Sequence, residues 1–182
     1  MPITHGPGVA TASESKREAT EPLPATGAAA QAATIANVQS ASRPLRLRSN
    51  AELGWRTVSA GAAVRERDAL FVPPATEARL QFLDGTSLEL DERSLVVVEA
   101  PPRGKKKVDL RQGSFAGVAG KEGMDVATPQ GTARLSPSAQ VQVAVDQGKV
   151  QLQVTGGEAT IASASGSRTR SRSTISVESS AK

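Results

Sequence analysis

Cysteine and tyrosine are absent, and one histidine, one tryptophan and three phenylalanines are all that the chain holds of several residue types that carry chemistry or fill cores. Without cysteine there is neither a disulfide nor a thiolate metal site, which suits a reducing compartment and equally many envelope proteins. The single histidine, His5, stands beside Gly6-Pro7 in a polar stretch where nothing orients it as base or ligand. No Ser-His-Asp or Cys-His set, HExxH pattern or P-loop occurs. No catalytic, cofactor-binding or metal-ligating residue is therefore assigned, and the chain reads as a non-enzyme. Long apolar runs are missing too. The opening "MPITHGPGVATASESKREATEPLPATGAAAQAAT" has no secretory apolar core, and no stretch approaches the ~20 apolar residues of a membrane helix, so no signal peptide or transmembrane segment is expected within it.

What remains is polar, rich in alanine and valine, and mildly basic, with a net charge of +4 over 182 residues. Such a balance permits contact with an acidic surface without demanding one. Residues 1–49 hold scarcely a large apolar side chain and are expected to be a flexible Ala/Ser/Thr/Pro-rich arm, with "TGAAAQAATIANVQSA" at most a transient helix. Residues 165–182 read as a flexible Ser/Arg-rich tail in which Ile175 and Val177 add no more than a frayed strand. The domain is expected at residues 50–164, where apolar residues recur with strand periodicity and no helical period appears.

Strand signals follow one another through that segment: "LGWRTVS", "GAAVRER", "ALFV" closed by Pro73-Pro74, and "SLVVVE" closed by Pro101-Pro102. "KVDLR" and "SFAGVAG" flank an expected turn at Gln112-Gly113, and "MDVATP" leads into a turn at Pro129-Gln130-Gly131. Two hairpins are more sharply specified. In "LQFLDGTSLEL" a two-residue turn at Asp84-Gly85 would mix apolar and polar residues on both faces. A three-residue loop Leu83-Asp84-Gly85, with Gly85 left-handed, instead sets Leu80 against Leu88 and Ala78 against Leu90, with Arg79 facing Glu89 on the wet side. In "VQVAVDQGKVQLQV" the Gln147-Gly148 turn pairs Val145 with Val150, Val143 with Leu152 and Val141 with Val154. A further turn at Gly156-Gly157 would place Leu152 against Ile161 and complete a three-stranded meander. The expected fold is all-β, an antiparallel meander forming a sandwich or a short β-solenoid.

Carboxylates at Asp68, Asp84, Asp91, Asp109 and Asp125 fall at turns and strand ends, where turn chemistry accounts for them. Three basic clusters stand out: Arg43, Arg46 and Arg48; Arg103 with Lys105, Lys106 and Lys107; and Arg168, Arg170 and Arg172. The second is the candidate anion or partner contact, its plainer alternative being a charged loop or strand edge that discourages aggregation. Stacking aromatics are too few for nucleic acid to be the expected ligand. Trp55 is expected in the core.

The series "VRERDALFVPPATEARLQFLDGTSLELDERSLVVV", "VDLRQGSF", "MDVATPQGTARL" and "QGKVQLQV" resembles the FecR domain, the extracytoplasmic β-rich module of a family of sigma-factor regulators. The resemblance spans most of residues 55–155. It rests on Asp84-Gly85-Thr86, on the Leu110 to Gly113 step, on Thr128-Pro129-x-Gly131 and on Gly148-x-Val150, so that Asp84, Gly85, Gly113, Gly131, Gly148 and Gly157 are assigned as structural turn positions. Arg67-Asp68 stands where the family usually has Gly-Asp, and "ARLSPSAQVQV" departs from its usual strand. The family's sigma-binding segment and membrane helix are not found here, so only the β module carries over. The resemblance implies a non-enzymatic, regulatory interaction module of the bacterial cell envelope or periplasm that binds a protein partner. The alternative is a scaffold or binding module for an anionic polymer, a peptidoglycan-like glycan or nucleic acid, held through the basic clusters.

Overall fold

The computed structural model describes residues 33–101 and 105–163, together with the backbone of strands at 166–171 and 174–177. No helix occurs among them. Sixteen strands follow in order: β1 (Thr34–Ala41), β2 (Leu45–Arg48), β3 (Arg56–Val58), β4 (Ala63–Arg65), β5 (Ala69–Phe71), β6 (Ala78–Phe82), β7 (Ser87–Leu90) and β8 (Leu95–Glu99) in the first half. Then come β9 (Lys106–Val118), β10 (Met124–Thr128), β11 (Gly131–Leu135), β12 (Gln140–Asp146), β13 (Lys149–Gly156), β14 (Glu158–Ser163), β15 (Gly166–Ser171) and β16 (Thr174–Val177).

These strands make one curled sheet, a half-barrel, folded over along β9 into two wings. The first wing runs β4-β1-β6-β7-β9-β12-β13-β16 and the second β3-β2-β5-β8-β9-β10-β11-β14-β15. All pairings are antiparallel except β9 with β10. The expected all-β, antiparallel fold is thus the observed one. Leu80, Phe82, Leu90, Phe115 and Val143 of the first wing and Leu45, Leu70, Val96, Leu110 and Val126 of the second bury into one cluster.

The expected turn at Gln112-Gly113 is not a turn. Lys106–Val118 is one strand, central in both wings: Val108 and Leu110 lie between β8 and β10, while Phe115 and Gly117 lie between β7 and β12. Buried positions are even-numbered before the bend and odd-numbered after it. The change of phase comes from a bulge, where the register with β8 slips between Leu95↔Gln112 and Val96↔Leu110. Gly113 sits at that bend with φ +86°, and a Cβ there would lie 2.5 Å from Ser94 Cα. Only glycine satisfies both the left-handed backbone and the close approach.

Both specified hairpins form in the expected register. β6 and β7 pair Ala78↔Leu90, Arg79↔Glu89 and Leu80↔Leu88, with Gly85 at φ +90° and an Arg79–Glu89 ion pair on the outer face. β12 and β13 pair Val141↔Val154, Val143↔Leu152 and Val145↔Val150, about a turn in which Gln147 and Gly148 both have positive φ.

Three expectations are corrected. The Gly156-Gly157 step does not continue the meander: β13 takes β16 as its second partner, setting Leu152 against Ile175, while β14 crosses to the second wing and sets Ile161 against Ala133 of β11. Ser136 catches the chain there, its N–H donating to Glu158 O at 2.9 Å and its Oγ accepting from Glu158 N–H at 3.0 Å. Residues 34–41 and 45–48, expected within the flexible arm, are instead the core strands β1 and β2, in which Ala36, Leu45 and Leu47 are fully buried. The tail expected from residue 165 contains β15 and β16. His5 and the rest of residues 1–32, Arg103, Arg172 and residues 178–182 lie outside the described residues.

Candidate functional site

Most of the polar residues singled out at turns are held by the framework, although one buried oxygen each of Asp68 and Asp125 has no hydrogen-bond partner among the described residues. Asp84 accepts from the Thr86 N–H through Oδ1 at 3.0 Å and from the Thr86 hydroxyl through Oδ2 at 3.1 Å. The same hydroxyl, fully buried, accepts the Gly120 N–H at 2.9 Å and so ties the β6–β7 loop to the loop after β9. Ser94 does the equivalent work at the bend: its Oγ donates to Ser114 O at 2.8 Å and accepts from Ser114 N–H at 3.0 Å. Asp91 accepts from the Ser114 hydroxyl. Asp68 is buried and accepts the Arg65 N–H at 2.8 Å, closing the turn between β4 and β5. Asp109 pairs with Arg111. Gly131 starts β11, Gly148 occupies the β12–β13 turn in open space, and Gly157, at φ +77°, marks the crossing to the second wing.

The lysine cluster is not one patch. Lys106 and Lys107 open the central strand β9, not an edge, and successive strand residues face opposite sides. Lys107 lies on the outer face, 3.1 Å from Glu99, within a row of alternating charge formed by Glu99, Lys107, Asp125 and Arg134 in register across four strands. Lys106 is on the core side, opposite buried Met124. Lys105, just before the strand, is exposed.

The two outer faces differ in chemistry. On the first wing the outward residues of β6, β7, β12 and β13 are mostly polar, among them Arg79, Glu89, Gln142 and Gln153, with Ala144 and, on β9, Val118 the apolar exceptions. On the second wing Ala69 and Phe71 of β5 lie beside Val97 and Leu95 of β8, an apolar surface where an antiparallel sheet is ordinarily wet. Trp55, expected in the core, instead borders this surface at 42% exposure, edge-on to Phe71 with ring centroids 6.5 Å apart. It sits there because it precedes the short edge strand β3, whose core position is taken by Val58. Leu53, wholly exposed, stands close by in sequence. Arg46 and Arg48 of β2 are exposed on this side, Arg46 paired with Phe71 across the strands and the guanidinium of Arg48 lying over the Trp55 ring, 5.2 Å from its centroid.

Sequence reasoning assigned no role to this surface. Two signals pointed to it: "LRLR" alternates as a half-buried strand should, and "LVVV" in β8 is apolar on both faces, which requires either a covered sheet or an exposed patch.

A family model described as FecR protein matches residues 68–160, just over half of the chain, and takes in β5 to β13 and the start of β14. No curated protein matches the chain. The matched span contains the Asp84-Gly85-Thr86 loop, the Gly113 bend and the Gln147-Gly148 hairpin that frame the half-barrel, and the chain belongs to the FecR family.

Proposed function

We propose that this chain is a non-enzymatic, regulatory binding module that acts in the bacterial cell envelope by holding a protein partner in sigma-factor signalling. The observation that carries the reading is the apolar surface formed by exposed Trp55 with half-buried Phe71, Leu95 and Val97 on an outer face that is otherwise wet. Contiguous exposed apolar surface marks interaction sites, and tryptophan and arginine are the residue types that dominate binding energy in them. Family membership supports a regulatory rather than a metabolic role.

A pull-down from the envelope fraction of the source organism, with the full chain as bait at low and high salt, tests this. A discrete protein retained at high salt is expected. Retention of glycan or nucleic acid alone, lost as salt rises, would replace the reading with polymer scaffolding, because contacts between fixed charges are screened. Joint alanine replacement of Lys105, Lys106 and Lys107 is expected to leave capture unchanged, since the three side chains do not share a face.

A further inference from the structure

We infer that the Trp55–Phe71 surface is the docking site for an acidic protein segment in which an aliphatic or aromatic side chain is flanked by carboxylates. This deepens the protein-binding reading and rests on it. The first argument is charge. Three outward cations on the sheet have carboxylate partners: Arg79 with Glu89, Lys107 with Glu99, Arg111 with Asp109. Among the described residues no carboxylate pairs with Arg46, Arg48 or Arg56; across the strands Arg46 meets only Thr57 and Phe71, and Arg48 meets Ala69. Two unpaired guanidinium groups therefore stand on an apolar floor. Being two residues apart on one strand, they are separated by roughly 7 Å, a spacing that neighbouring carboxylates of one segment can match.

The second argument is shape. Beside Arg48 lies a shallow recess lined in part by Leu53, Ala69 and Val97, with Arg48 and Arg67 and the carboxylates of Glu52 and Glu99 around them. One apolar side chain seats there while its acidic neighbours reach the arginines. An anionic bilayer is the poorer match, because Arg48 covers the Trp55 ring that would have to enter it.

Trp55 is the chain's single tryptophan, so its emission reports on the site directly. The full chain would be titrated with a short peptide of glutamates around a central phenylalanine. Controls are the same peptide with lysines for glutamates, one with serine for phenylalanine, and vesicles of phosphatidylglycerol. Only the first is expected to shift the emission to the blue, with an affinity at least about tenfold weaker in the Arg46→Glu, Arg48→Glu double variant. No response to that peptide, an equal response to its lysine counterpart, unchanged affinity in the double variant, or a response to vesicles alone would overturn the inference. Repeating the envelope pull-down with the double variant separates the two claims. A partner held equally well by wild type and variant removes the acidic-segment site and leaves the regulatory reading; no partner held by either removes the reading beneath it.

Discussion

Thr86 and Ser94 place hydroxyl groups where the interior offers no water, and each hydroxyl both donates and accepts. Thr86→Val keeps the shape and strands the Gly120 N–H, so a loss of about 1–3 kcal/mol is expected in urea unfolding, most of it restored by Thr86→Ser. Gly113→Ala is more severe, because it combines a left-handed backbone with a Cβ driven into Ser94; about 3 kcal/mol or more should be lost, a large share of an ordinary domain's stability. Arg67 holds φ +62° where the family usually has glycine, while its N–H donates to Val98 O at 2.7 Å. A left-handed conformation costs a side-chain-bearing residue about 1 kcal/mol, so Arg67→Gly is expected to raise the unfolding midpoint without changing its slope.

Single elements were legible where a short loop and two alternating patterns had to agree. In β6–β7 only one register sends Leu80, Leu88 and Leu90 to the same side, and the bond from Phe82 N–H to Thr86 O at 2.8 Å closes that register. The Gly156-Gly157 step lacked such a constraint. Any strand with an inward apolar row can accept β14, and both wings present one, so local pattern does not choose between β13 and β11. Engineered disulfides discriminate the two in a chain with no cysteine of its own: Arg134→Cys with Thr160→Cys, directly opposed on β11 and β14, should cross-link on oxidation, whereas Gln153→Cys with Thr160→Cys should not. β1 and β2 escaped notice because their inward residues, Ile35, Ala36, Val38, Leu45 and Leu47, are few and flanked by polar and small ones. The placement of Trp55 on the apolar surface was illegible for a different reason. A tryptophan in a sequence with three phenylalanines is ordinarily needed inside, and its displacement depends on how β3 meets β2 and β5, which no local rule contains.

For the molecule as a whole, β9 matters most, since each wing uses part of it as a central strand and both wings bury into the same cluster. Neither wing can open without exposing the other's inner face. Native-state hydrogen exchange is therefore expected to give the central amides of β7 and of β10 the same free energy of opening, equal to that of global unfolding, and Gly113→Ala should lower both equally. A lowering confined to one wing would mean that the halves unfold separately.

The bulge in β9 also bears on how sequences of this kind can change length. Strand faces alternate with a period of two, so the single extra residue near Arg111 and Gln112 is what lets Leu110 and Phe115 point into the same interior. Removing one residue between Arg111 and Ser114 would leave every later residue chemically unaltered and turn the first wing's share of β9 inside out. Insertions can accumulate in loops such as that between β2 and β3, but in this stretch the count is an odd-or-even matter, and drift by a single position is barred.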